Sequence, residues 1–302
     1  SNHRDIMLDA TLLQYALCLE NHRTSEITFG SNLMISQLVV DIGKSNKMFK
    51  VIRGGNIKDF YKNSLDLSEY IRHTLLEKRE SVWIAQRNGR TKNGKDATDQ
   101  GIIKMFYMSS PKNPVQALAC LNIVPISISY EWESCDFLKT RELYLTRKNG
   151  IYEKQPGEDL NSILTGVMQP KGQVHIHFGK PLAENDLQPL TGLPNNKFNQ
   201  QVALQLDKQV LSNYNLFSTN YIACDLCSGK AEFSDKYTEK EKTDFISYMK
   251  QGLSKIEGDK DELQKIFLGI YASPVDAKRY YTSLIMERKQ KITFVTLKSP
   301  SR

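Results

Sequence analysis

Short apolar segments alternate with amphipathic segments along the first 182 residues of the chain, and this alternation limits the folds that the chain can adopt. The apolar segments are rich in β-branched and aromatic residues and predict strands at residues 26–30, 48–53, 81–87, 122–131 and 173–182. Between them, apolar residues recur at helical spacing, as at residues 6–20 and 64–78, where Asp5 and Ser64 are the predicted helix caps. The pattern is typical of an α/β domain, with a mostly parallel or mixed central sheet flanked by helices.

The pattern becomes mostly helical from about residue 196. Helical spacing of apolar residues is found at residues 195–214, 239–256 and 261–272. We therefore predict an α/β domain at residues 1–195 and a helical C-terminal region at residues 196–302 that packs on this core. The sequence begins abruptly within a motif, so we expect the N-terminus to be truncated.

The chain is basic, because 41 Lys and Arg residues outnumber 34 Asp and Glu residues and leave a net charge of +7 at pH 7. A basic surface suits anionic lipids, nucleic acids or phosphorylated substrates, and it also serves solubility alone. No patch of basic and aromatic residues marks a nucleic-acid surface, so we expect no nucleic-acid partner. No apolar segment approaches the roughly 20 residues that cross a bilayer.

Cysteine and histidine residues do not form a metal-binding pattern. The chain has five cysteines, and an odd number favours a reducing compartment over a disulfide framework. Cys224 and Cys227 form a single CxxC pair, whereas a zinc site needs a second pair or nearby histidines. His175 and His177 alternate in a predicted strand without a cluster of acids beside them. We therefore predict no metal site.

One histidine has a different context, because His3 precedes Asp5 and Asp9 at the start of a predicted helix. A histidine that removes a proton from a hydroxyl needs a carboxylate to fix its tautomer and to stabilise its charged form. The same residues also fit an ordinary helix start in which Asp5 caps the first turn. Both interpretations remain open at this point.

A second candidate element is the basic loop that follows the strand at residues 81–87. It reads RNGRTKNGK and contains Arg87, Arg90, Lys92 and Lys95 together with two glycines. A loop that follows a parallel strand lies at the carboxyl edge of the sheet, where ligands bind. Arginine donors and an approachable glycine backbone suit a phosphate group, although a solvated basic turn has the same composition.

Four segments in order, NHRDIMLD, FKVIR, NGRTKNGK and IVPISISYE, resemble the four motif blocks of the glycerolipid acyltransferase family. This family includes glycerol-3-phosphate and lysophosphatidic acid acyltransferases. The segment VHIHFGKPL resembles the strand that follows the fourth block in many members. The resemblance covers about residues 1–182.

The resemblance implies roles for particular residues. His3 would be the general base and Asp9 its orienting acid, with Asp5 as the alternative; the family spacing places the acid at the position of Leu8. The implied substrate-binding residues are Arg53, Asn88, Gly89, Arg90, Lys92, Lys95 and Pro125. The cationic members would hold the acceptor's phosphate, Gly89 would allow close backbone approach, and Pro125 would shape the acyl-donor region. Asn88 stands where the family has Glu.

The resemblance also implies an activity and partners. The reaction would transfer a fatty acyl group from acyl-CoA or acyl carrier protein to a hydroxyl of a lysophospholipid such as 1-acyl-glycerol-3-phosphate, in phospholipid biosynthesis and without a further cofactor. The protein would be cytoplasmic and peripheral on the inner face of the cell membrane, against an anionic surface. Two alternatives remain, namely a catalytically impaired protein that binds lipid or acyl carrier, and O-acylation of a non-phosphorylated amino-acid lipid.

Overall fold

The computed structural model describes residues 1–34, 37–52 and 56–296, with the backbone alone at residue 38 and at residues 284–296. It confirms the predicted class: an α/β fold with flanking helices and a C-terminal helical portion. Within these ranges the strands form two small sheets, one parallel and one antiparallel. No described helix has both the length and the apolar character that crossing a bilayer requires.

The parallel sheet has the strand order β2-β1-β3. Its strands are β1 (Glu26–Gly30), β2 (Met48–Val51) and β3 (Val82–Trp83). The helices α2 (Gln37–Ser45) and α3 (Ile57–Leu76) form the two crossover connections, as parallel neighbours require. Ile27 pairs with both Met48 and Trp83, so β1 is the central strand.

The second sheet pairs β4 (Ile126–Tyr130) with β5 (Val174–Phe178) in antiparallel register, with Ile128 opposite Ile176. Residues 1–4 run between the two sheets and connect them. On one side, the Gln86 amide donates to the Ser1 carbonyl at 2.7 Å; on the other, the Asn2 amide donates to the Ile126 carbonyl at 3.3 Å. The Asn2 side chain also accepts from the Ile128 amide at 2.8 Å.

Several strands are shorter than predicted. The segment after Trp83 leaves the ladder because its backbone bonds to residues 1–4 instead, so β3 has two residues rather than the predicted seven. β4 begins after Pro125, whose nitrogen carries no hydrogen to donate to a ladder. β5 ends at Phe178, just before the Gly-Lys-Pro sequence.

Helix α3 begins earlier than predicted. The Asn56 side chain accepts hydrogen bonds from the amides of Lys58 and Asp59 and caps the helix, whereas Ser64 lies inside it and donates to the Phe60 carbonyl at 2.8 Å. The predicted cap at Ser64 is therefore wrong, because an asparagine upstream offers the better cap. The other helices of this part are α1 (Leu8–Leu19), α4 (Gln100–Tyr107), α5 (Pro114–Ala119), α6 (Asp136–Asn149), α7 (Glu158–Met168) and α8 (Glu184–Leu187).

The C-terminal part contains α9 (Asn195–Ser212), α10 (Ser218–Ser228), α11 (Glu239–Ser254) and α12 (Lys260–Thr296). The predicted division between residues 195 and 196 coincides with the beginning of α9, and as a domain boundary it stays a prediction. α12 packs against α6 and α9 as well as against α10 and α11. Buried aromatic residues on α11 and α12, including Phe245, Phe267 and Tyr271, form the core here.

Gly94 is the point where the basic loop meets α12. It has a φ of +76°, and a Cβ atom there would collide with the Ile270 carbonyl oxygen. We expect Gly94→Ala to lower the free energy of unfolding by about 2 to 5 kcal/mol, because a left-handed conformation and a steric overlap both penalise the methyl group.

The matched control is Gly150→Ala, which has a similar φ of +80° but open space around the added methyl. In this variant the free energy of unfolding should fall by only about 1 to 2 kcal/mol, because the left-handed backbone alone penalises the methyl group. Equilibrium unfolding in urea measures both values, and equal losses would contradict the close contact with α12.

Candidate functional site

The His3 ring and the Asp9 carboxylate lie together in the interior. Nδ1 of His3 is 2.9 Å from Oδ2 of Asp9, and both side chains are almost fully buried. His3 belongs to the extended segment before α1, and Asp9 is in the first turn of that helix. The bend at residues 6–7 allows a spacing of six residues to close into a direct contact.

The Asp9 carboxylate is held by further hydrogen bonds on both oxygens. Oδ2 accepts from the amides of Arg4 and Asp5 at 2.7 and 3.0 Å, and Oδ1 accepts from the Tyr130 hydroxyl at 2.8 Å. Burial first, and then the charge of Asp9, raises the pKa of Tyr130 well above its usual value, so this hydroxyl remains a donor. An acceptor fixed in this way favours the tautomer in which Nδ1–H of neutral His3 donates to Asp9 and Nε2 keeps its lone pair.

Asp5 has a different set of partners. Its Oδ1 accepts from the amides of Met7 and Leu8, both at 2.8 Å, and its Oδ2 accepts from the Ser134 hydroxyl. These contacts satisfy the free amides at the start of α1, which is the capping interpretation that the sequence left open. The geometry therefore pairs His3 with Asp9 and not with Asp5.

Arg90 lies in the basic loop next to the His3 segment. The Thr91 amide donates to the His3 carbonyl at 2.7 Å, which joins the two segments directly. Arg90 is only 9% exposed, and its buried Nη1 has no hydrogen-bond partner among the described residues. A buried guanidinium nitrogen without a partner is costly. The arrangement suits a site that receives an anion.

Asp96 is a residue that the sequence analysis missed. Its Oδ2 accepts from Asn2 at 3.2 Å and from Nη2 of Arg4 at 2.8 Å, and its Oδ1 accepts from the Thr91 hydroxyl at 2.6 Å. Asn2 and Arg4 flank His3, and Thr91 follows Arg90. One buried carboxylate therefore fixes both candidate elements. The only signal in the sequence is an acid within a cationic loop.

The other predicted residues occupy varied places. Lys92 donates to Glu142 of α6, so its ammonium group already has a carboxylate partner. Lys95 and Asn88 are exposed to solvent. Gly89 has a φ of +72° and open space where a Cβ would lie, which leaves the backbone approachable. Arg53 lies outside the described residues.

An apolar cavity of about 280 Å³ lies beside Trp83. Trp83 lines it and also contacts His3 edge-on, with the ring centroids 6.2 Å apart. Further lining residues are Leu13, Gln86, Ile103, Pro125 and Ile126. Both polar side-chain atoms of Gln86 are buried without a hydrogen-bond partner among the described residues. Pro125 thus borders the cavity, as a role in shaping an apolar substrate region would require.

Within the described ranges, no group of three or more His, Cys, Asp or Glu residues is arranged to hold a metal ion. The rings of His175 and His177 are stacked 6.5 Å apart on β5. Comparison with models of known protein families gives no match, and comparison with curated protein sequences gives no significant match either.

Asp207 of α9 anchors the end of the basic loop next to the cavity. Its Oδ1 accepts from the Thr98 amide at 2.8 Å and from the Thr98 hydroxyl at 2.6 Å. Burial raises the pKa of Asp207 to about 6, and the nearby charge of Asp96 adds to the effect. The folded state binds this proton more tightly than the unfolded chain, so the stability contribution falls as the pH rises from about 4 to 6.

We expect Asp207→Asn to be more stable than the wild type at pH 8, by up to about 2 to 3 kcal/mol, because the amide oxygen can still accept both hydrogen bonds without a buried charge. The difference should vanish near pH 4. Urea unfolding at both pH values measures it, with Asp66→Asn on the exposed face of α3 as control. A destabilisation of equal size at both pH values would contradict the shifted pKa.

Proposed function

We propose that the protein transfers a fatty acyl group from acyl-CoA or acyl carrier protein to a hydroxyl of a lysophospholipid, with 1-acyl-glycerol-3-phosphate as the leading acceptor. The observation that carries the proposal is the juxtaposition of the buried His3–Asp9 pair with Arg90, through the hydrogen bond between Thr91 and His3. The order of the four motifs supports the same activity.

The chemistry follows from the pair. Nε2 of His3 removes the proton of the acceptor hydroxyl, and Asp9 stabilises the resulting imidazolium. The hydroxyl oxygen attacks the thioester carbonyl, and the tetrahedral intermediate collapses with loss of the thiolate. The imidazolium returns its proton to this leaving group. A thioester is already activated, so positioning and general-base assistance are the main demands on the protein.

The surroundings of the pair suit the two substrates. A phosphate on the acceptor would bind Nη1 of Arg90, which has no hydrogen-bond partner among the described residues, and Gly89 leaves the adjacent backbone open. The apolar cavity beside Trp83 would take the acyl chain, with Pro125 at its border. We place the protein in the cytoplasm, peripheral on the inner face of the cell membrane, where such acceptors reside.

We expect His3→Gln to reduce turnover by about 10² to 10⁴-fold, because the variant lacks a general base. Mass spectrometry of the acylated product, with acyl-CoA and 1-acyl-glycerol-3-phosphate as substrates, measures the loss. The control is His73→Gln, because His73 is exposed on α3 and pairs with Glu77.

Equal turnover of wild type and His3→Gln would remove His3 from the mechanism. If the wild type bound lysophospholipid but gave no product with either acyl-CoA or acyl carrier protein donors, the protein would instead be an acyltransferase-like binding protein.

We expect Arg90→Ala to raise the KM for 1-acyl-glycerol-3-phosphate by about 10- to 100-fold, because it removes a charge-assisted hydrogen bond to the phosphate. The KM for a monoacylglycerol acceptor, which has no phosphate, should stay the same. Arg147→Ala, on the exposed face of α6, is the control. A fall in kcat for every acceptor with unchanged KM would contradict the phosphate role, and a preference for amino-acid lipids would redirect the acceptor class.

A further inference from the structure

The first two turns of α3 expose large apolar side chains to solvent. Ile57 is 89% exposed, Phe60 is 65% exposed and Tyr61 is 55% exposed. Their spacing places them on one side of the helix. Single exposed apolar residues are normal on a protein surface, whereas a contiguous patch marks a contact surface.

These residues form one wall of an open groove of about 500 Å³ between α3 and α4. Leu67, Ile102, Met105 and Met108 are among the other apolar residues that line the groove. Asn88 also lines it, two residues before Arg90. The exposed patch is therefore continuous with the loop that carries the proposed phosphate-binding arginine.

Cationic residues dominate around this patch. The first two turns of α3 contribute Lys58 and Lys62, and the groove lining contributes Arg87 and Lys104. The first two turns of α3 contain one acid, Asp59, and the groove lining contains one acid, Asp99. The surface therefore has four cations against two acids. An apolar patch with a net positive rim is complementary to an anionic bilayer surface.

We propose that this surface, defined by Ile57, Phe60, Tyr61, Lys58 and Lys62, is where the protein docks on an anionic lipid bilayer. The apolar side chains enter the boundary between headgroups and acyl chains, and the lysines contact the headgroups. This inference rests on the proposed function, since it brings the bilayer that holds the acceptor next to the Arg90 loop.

A second apolar stripe on α7 provides a contrast. Leu164 is 56% exposed and Met168 is 80% exposed, so their apolar exposure is comparable with that of the α3 patch. The first turn of α7 is acidic, because it contains Glu158 and Asp159. Lys154 pairs with Asp159, but the turn has no excess of positive charge that would attract an anionic bilayer, so we assign no docking role to α7.

Co-sedimentation of the full chain with vesicles tests the proposal. The vesicles contain phosphatidylcholine mixed with phosphatidylserine, or phosphatidylcholine alone. Wild type should bind the mixed vesicles more tightly, and binding should weaken as salt is added. The double variant Ile57→Ser/Phe60→Ser should lose at least about tenfold in partitioning, and Lys58→Gln/Lys62→Gln should lose about tenfold on mixed vesicles only.

The matched control Leu164→Ser/Met168→Ser should bind like wild type. Circular dichroism checks that every variant is folded. The proposal is overturned if the wild type does not bind mixed vesicles, or if the α7 control loses as much binding as the α3 variant.

The test separates this inference from the proposed activity. Acyl transfer to a short-chain acceptor that dissolves as a monomer needs no bilayer, so Ile57→Ser/Phe60→Ser should retain its turnover. Vesicle binding without acyl transfer by the wild type would refute the proposed activity and leave the docking surface standing. If the wild type acylated the soluble acceptor but did not bind vesicles, the docking surface would be refuted and the proposed activity would stand.

Discussion

The buried ion pair between Arg4 and Asp96 is the interaction on which the candidate site depends. Both side chains are fully excluded from solvent, and Asp96 contacts Nε and Nη2 of Arg4 at 3.1 and 2.8 Å. Removing one partner from a buried pair leaves an uncompensated buried charge, which costs about 3 to 5 kcal/mol. The pair therefore holds residues 1–4 and the basic loop in one relative position, and with them His3 and Arg90.

The helical C-terminal portion takes part in the same network. The Arg4 guanidinium lies over the ring of Tyr214 at 5.1 Å, and its Nη1 contacts Glu133 at 3.4 Å. Lys139 donates to Glu133 at 2.6 Å and to the Arg4 carbonyl at 2.8 Å. The Glu133 amide in turn donates to the hydroxyl oxygen of Tyr271 on α12. The C-terminal portion thus contacts the buried residues Arg4 and Glu133 next to the site, in addition to forming its own core.

Much of the fold could be predicted from the sequence because alternating strands and helices leave a periodic record of apolar residues. The same holds for the position of His3 before a helix. The resemblance preferred Asp9 with Asp5 as the alternative, but the features that separate the two acids are a bend at residues 6–7 and Tyr130, which is 121 residues away from Asp9. The sequence also could not reveal that Lys92 pairs with Glu142 or that Asp96 serves both halves of the site. These contacts are set by how distant segments pack, and local patterns do not report them.

The placement of residues 1–4 between the two sheets bears on how the protein folds. Several hydrogen bonds of this segment join residues that are far apart in the chain, with 85 positions between Ser1 and Gln86 and 126 between Asn2 and Ile128. Contacts of such high sequence separation incur a large loop-closure entropy and form slowly relative to local helices. We therefore expect the His3 imidazole to reach its final position late in folding, after the local helices have formed. A collapsed intermediate rich in helix would contain most of the secondary structure and none of the assembled site.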